Sequence, residues 1–258
     1  MNNLNKKNFA MAFLGLFLAI SGGAIQAQTD VQKLKSFNKI IVSPRVQLEL
    51  VKGDQESIEL EYRNINPAKV NVEVSGKTLK IYLDDAKYIV KNDKSKKYHR
   101  RNGWWDQRMY DENVQVRAYV TYNTLKRLQV RGEEDIEITS PLEADRFKLK
   151  LYGESVVRIS SLKTNKFKAV LIGENRLEVK EGNAKKQKYK SIGENWVRAD
   201  GLESEFAIAS FIGEGRAKIK ANDHLRVSSI GESEVVFSGN PRVRKGIVLG
   251  YVDIRKDW

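Results

Sequence analysis

No cysteine occurs in the 258 residues. That excludes a disulfide framework, thiolate metal ligands, a cysteine nucleophile and a lipid-acceptor cysteine behind a leader. Histidine is almost missing too, with only His99 and His224. Neither Gly-x-Ser-x-Gly nor His-Glu-x-x-His appears, so the common hydrolase and metalloprotease signatures are absent. No nucleic-acid-binding motif is present either. Long apolar runs are lacking except for Phe9 to Ile20, which is too short to span a bilayer comfortably.

That one run has a context. Lys6 and Lys7 precede it, and small residues from Ser21 to Ala27 follow it. Residues 1–27 therefore read as a secretory signal peptide cleaved after Ala27. Removing Lys6 and Lys7 takes the net charge from +13 to +11. A basic protein exported to the periplasm or cell surface meets acidic glycans, lipid headgroups or surface polymers rather than nucleic acid.

What is present is a repeat. Gly-Glu recurs at Gly132-Glu133, Gly153-Glu154, Gly173-Glu174, Gly193-Glu194, Gly213-Glu214 and Gly231-Glu232, with spacings of 21, 20, 20, 20 and 18. A period near 20 is the mark of a solenoid. With each Gly at position zero, apolar residues fall at −6, −4, −2, +4 and +6, as in Phe147, Leu149, Leu151, Val157 and Ile159. This period-2 alternation predicts strands with one buried face, bent at a Gly that tolerates positive φ. Turn residues such as Ser140-Pro141 and Asp200-Gly201 close each unit, and Leu142, Leu162 and Leu202 plug that looser corner. A hairpin meander also gives alternation and turns. The steady period and constant phase favour an all-β, parallel β-helix-like solenoid of about 20-residue coils.

The remaining stretches fit around the repeat. Lys39–Val42, Val46–Val51, Ser57–Tyr62, Val70–Val74 and Thr78–Leu83 read as strands, and 37–85 as N-terminal coils or a cap. Residues 86–113 break the pattern with eight Lys and Arg among Tyr88, Tyr98, Trp104, Trp105 and Tyr110. This is either a solvated excursion or a ligand-contacting loop built on Trp104 and Trp105. Residues 114–254 carry the Gly-Glu coils, and Leu249-Gly250 stands where a further corner is due. Residues 37–254 read as one domain.

Certain segments carry a resemblance: Phe37-x-x-Ile40, Gly76-Lys77-Thr78-Leu79-x-Ile81, and Leu125-x-x-Leu128-x-Val130-x-Gly132 opening the Gly-centred repeats. The chain resembles the exported Bacteroidetes auto-transporter adhesin family with the head GIN domain, over about Phe37 to Ile254. Gly-Glu-Asn or Gly-Glu-Ser replaces that family's usual Gly-Ser-Gly-Asp corner. The resemblance implies a β-helix-like fold and a role in adhesion, and supplies no catalytic residues or cofactor.

Stacking turns outward offsets into columns. Position −5 is basic: Arg127, Lys148, Lys168, Lys188 and, after Ile208, Arg226. Arg146, Lys166, Lys186, Lys150 and Lys190 widen it. The column is either solubilising charge or a binding face for an acidic glycan or surface polymer. Position +1 is a Glu ladder, paired with Arg158, Arg176, Arg198 and Arg216 or, alternatively, a calcium edge at Glu174 and Glu194. Position −1 is an apolar stripe, Ile172, Ile192, Ile212 and Ile230, which the N-terminal region or a protein partner is expected to cover. The reading is a non-catalytic envelope or surface binding module. The alternatives are a polysaccharide-active enzyme or a structural envelope protein.

Overall fold

Alternating side chains dictate strands, and glycines that admit positive φ let each strand bend without losing its register. The structure, a computed structural model, describes residues 31–84 and 113–257. Residues 1–27, read above as a signal peptide, and Trp104 and Trp105 lie outside the described residues. The strands are β1 (Gln32–Lys33), β2 (Lys39–Val42), β3 (Val46–Lys52), β4 (Ser57–Arg63), β5 (Val70–Ser75), β6 (Thr78–Leu83), β7 (Gln115–Tyr122) and β8 (Arg127–Gly132). They continue as β9 (Asp135–Ile138), β10 (Leu142–Gly153), β11 (Val156–Gly173), β12 (Arg176–Gly193), β13 (Asn195–Ala199), β14 (Leu202–Lys220), β15 (His224–Ser238) and β16 (Arg242–Lys256). There is no α-helix among the described residues.

From β8 onward the pairing is parallel, and each coil lies on the next one period away. Gly132, Gly153, Gly173 and Gly193 stand in one line, as do Gly213, Gly231 and Gly250. The fold is a β-solenoid, as the repeat predicts. A first sheet runs into the Gly-Glu corner and a second leaves it. A short third side carries Leu142, Leu162, Gly182 and Leu202 in one column. The three leucines are buried.

The N-terminal strands follow a different path from a simple run of coils. β2 pairs in parallel with both β6 and β8, and β3 with both β7 and β9. The first coil in sequence is therefore second in the stack. β5 and β4 lie antiparallel on β6 and β7, and β1 on β4. A tight turn at Gly76, φ +58°, links β5 to β6, and so short a link allows only antiparallel pairing. These strands cover edges that a solenoid otherwise leaves bare.

The interior is one continuous apolar cluster. Phe147 stacks on Phe167 at 5.8 Å, and Phe167 meets Tyr189 edge-on at 5.9 Å. Tyr189 has Ala169 and Ala209 as its register neighbours, so small residues above and below make room for the ring. Its hydroxyl donates to Gln187 Oε1 at 2.6 Å. The Gln187 amide in turn donates to Ser204 Oγ and the Lys220 carbonyl. This buried polar chain is satisfied internally, as burial requires. Burial pushes the Tyr189 phenol far above its ordinary pKa.

Candidate functional site

The Gly-Glu corner sets which side chains point out. The corner glycines have φ between +98° and +131°. The Glu154, Glu174 and Glu194 N–H groups donate to the carbonyls of Gly132, Gly153 and Gly173 at 3.0, 2.9 and 3.0 Å. Each corner is thereby laced to the one before it. Inside the bend, at +2, lies a ladder that pattern reading missed. Asn175 and Asn195 are 2% and 3% exposed. Asn195 Oδ1 accepts from the Asn175 N–H and side-chain amide at 2.9 and 3.0 Å. Asn175 Oδ1 accepts from the Ser155 N–H at 3.1 Å, and Ser155 Oγ donates to the Gly132 carbonyl at 2.8 Å. The signal was available, because +2 is an even and therefore inward offset.

Outside the bend the six corner glutamates are exposed. Three of the four arginines expected to pair with them, Arg158, Arg176 and Arg198, bond elsewhere. Arg158 Nη1 is 3.6 Å from both Asp135 Oδ2 and Glu137 Oε1. Arg198 pairs with Glu178, and the Arg176 guanidinium lies over the Trp196 ring at 4.8 Å. The reason is register. Arg176 stands level with Trp196, and Glu178 with Arg198, so level neighbours are nearer than the corner carboxylates. Among the described residues, no group of three or more His, Asp or Glu gathers to hold a metal. Glu174 and Glu194 therefore lack a third such ligand.

The basic columns assemble in register. Arg127, Lys148, Lys168 and Lys188 are successive neighbours, followed by Ile208, Arg226 and Arg244. Arg146, Lys166 and Lys186 form the column beside it, and Lys150 and Lys190 stand on its other side with Val170 between them. Between the Arg146 column and the corner no Asp or Glu occupies an outward position from β8 to β16; at the outer edge Asp145 lies 3.4 Å from Arg146. The crowding registers in the ammonium groups. Burial first, then Lys150, Lys168 and Arg127, hold Lys148 below its ordinary pKa. Lys188 is lowered by burial and then by Lys190, Lys168, Lys186 and Arg226. Both residues stay partly exposed, so the field is one that an incoming anion can meet.

Next to these columns, against the corner, the −1 stripe is bare. Ile172, Ile192, Ile212, Ile230 and Leu249 are successive register neighbours. Ile192, Ile212, Ile230 and Leu249 are 43%, 49%, 43% and 61% exposed. The described N-terminal strands do not cover them, contrary to one of the two expectations. On the third side an open polar groove of about 740 Å³ runs past Asp145, Asn165, Asn183, Lys185, Glu203 and Asn222. Two pairs of its side chains bond to each other: Asn165 Nδ2 donates to Asp145 Oδ1 at 2.7 Å, and Asn222 Nδ2 to Glu203 Oε1 at 3.1 Å.

The family model described as "Putative auto-transporter adhesin, head GIN domain" matches residues 36–241. The chain belongs to this family. The fold of this head GIN protein has solved structural counterparts. A putative adhesin from Bacteroides fragilis is 20% identical, covering 91% of this chain and 98% of its own, with a TM-score of 0.69. One from Parabacteroides merdae is 18% identical, covering 90% and 96%, with a TM-score of 0.65. One from Parabacteroides distasonis is 15% identical, covering 89% and 96%, with a TM-score of 0.66. At these identities the likeness is one of fold. The sequence matches no curated protein. Family membership supports a non-catalytic, adhesin-like surface role. Among the described residues no helix is long and apolar enough to cross a membrane.

Proposed function

We propose that this head GIN protein is a non-catalytic module of the cell envelope or surface that binds polyanions through its first sheet. The observation that carries the reading is the set of adjacent basic columns around Lys148, Lys168 and Lys188, with no carboxylate between them. Scattered lysines suffice for solubility. Columns in register, about 4.8 Å from coil to coil, present a continuous positive stripe that a polymer of regularly spaced anions can follow. The polysaccharide-active alternative needs a carboxylate and a base converging on one groove. Here the Glu column lies across the corner from the lysines. The third-side groove brings Glu143, Asp145, Glu203 and Glu205 together with Lys163 and Lys185. But Asp145 and Glu203 already accept from Asn165 and Asn222, which holds both carboxyls below their ordinary pKa.

The test is retention on a heparin-like acidic polysaccharide column. Wild type is expected to be retained and to elute late in a salt gradient. Lys148→Glu, Lys168→Glu and Lys188→Glu together are expected to elute much earlier, since exposed charges act only within about 10 Å at 0.1 M salt. Elution of both at the same salt would sink the reading and move attention to Trp104 and Trp105.

A further inference from the structure

We infer that the polyanion is the headgroup layer of an anionic lipid bilayer, and that the Ile192, Ile212 and Ile230 ridge enters its apolar margin while the lysine columns meet its phosphates. The inference rests on the polyanion reading above and adds what that reading leaves unexplained, the bare aliphatic ridge. From Ile172 to Leu249 the ridge crosses five successive coils, about 19 Å at strand spacing. It ends in exposed Leu249 with exposed Ile247 beside it on β16. Exposed aliphatic residues in one contiguous line mark an apolar contact. Directly beside the ridge stand Lys150 and Lys190, then Lys148, Lys168 and Lys188, with no carboxylate among them.

A partner for this surface must be anionic over one strip and apolar next to it. A soluble acidic glycan meets the first condition alone. A second copy of the chain would meet the ridge with a ridge one residue wide, far short of the ~800 Å² per partner of a stable interface. An anionic bilayer meets both conditions. Its headgroups attract the lysines, and shallow burial of aliphatic side chains adds to binding. Lysine stems can lie along the interface with their ammonium groups at phosphate level. The Glu column belongs to the other side of the corner, so the first sheet can face the lipid without it.

The test uses flotation with vesicles of pure phosphatidylcholine and of equal parts phosphatidylcholine and phosphatidylglycerol, run beside the acidic polysaccharide column. Wild type should float with the mixed vesicles and not with phosphatidylcholine alone. Ile192→Ser, Ile212→Ser and Ile230→Ser together should weaken vesicle binding about tenfold or more, yet elute from the polysaccharide column with wild type. The lysine triple variant should lose both. The absence of cysteine allows a direct positional readout. A polarity-sensitive dye on Ile212→Cys should brighten with mixed vesicles, while the same dye on Glu214→Cys, across the corner, should not. Retention on polysaccharide without any vesicle binding would overturn the inference and leave the polyanion reading standing. Failure on both overturns both. A dye at position 212 that stays in water, or a wild-type dimer in light scattering that the Ser variant dissociates, would likewise overturn it.

Discussion

At the Gly193 corner a single missing carbon sets the geometry. Its φ is +98°, and a Cβ there would stand 2.5 Å from the Gly173 carbonyl oxygen. That oxygen is the acceptor of the Glu194 N–H, so it cannot move aside without breaking the lacing between coils. Gly193→Val is expected to cost about 2–4 kcal/mol, read as a fall in thermal midpoint. An unchanged midpoint would remove the strain argument. Glu134, at the +2 position of the first corner, makes the opposite kind of case. Burial holds its pKa above the usual carboxylate value, outweighing the hydrogen bond from the Arg45 N–H. A carboxyl with a raised folded pKa binds its proton more tightly folded than unfolded, so its contribution falls as pH rises through that window. Glu134→Gln keeps an acceptor for Arg45 and carries no charge. It is expected to melt higher than wild type at pH 7, with the difference vanishing in acid. A difference that grew in acid would contradict this sign.

Among elements, the corner ladders show what periodicity can and cannot convey. The glycine line, the inward leucines and the lysine columns follow from counting offsets, because parallel in-register stacking keeps each offset on its own column. Strand positions near the N-terminus were legible as well: Lys39–Val42 and Thr78–Leu83 match β2 and β6. Their partners were not, since alternation marks a strand without saying what lies beside it. The arginine pairing was misjudged for a related reason. Offset gives direction, whereas ion pairing depends on which carboxylate is level, and Glu178 is level with Arg198. Like charges directly opposite on neighbouring strands destabilise a sheet by tenths of a kcal/mol. Glu174→Gln with Glu194→Gln is therefore expected to raise the thermal midpoint by about 1–3 °C at low salt, with the gain shrinking as salt screens the ladder. Millimolar calcium should leave the wild-type midpoint nearly unchanged. A large calcium-dependent rise lost in the double variant would instead make the ladder a metal edge.

Over the whole molecule, stability runs along one axis, because each coil touches only the coils on either side of it. The two ends differ. At the N-terminal end, antiparallel β4 and β5 cover β7 and β6, and Val116, Ala118, Leu79 and Ile81 are fully buried beneath them. At the other end, among the described residues, β16 pairs only with β15. Residues that continue the inward columns there are left wet: Val243 is 41% exposed, and Lys245 takes the column position above Val227. The register also slips between Val227 and Ser229. Few buried apolar contacts and an open strand edge favour local opening. Native-state hydrogen exchange is therefore expected to show β16 opening first, β15 next, and the centre of the stack, β10 to β12, only with global unfolding. The asymmetry bears on the proposed lipid contact, because Ile247 and Leu249 belong to β16. Equal protection of β16 and β11 would mean that the terminal coil is held by something beyond its pairing with β15.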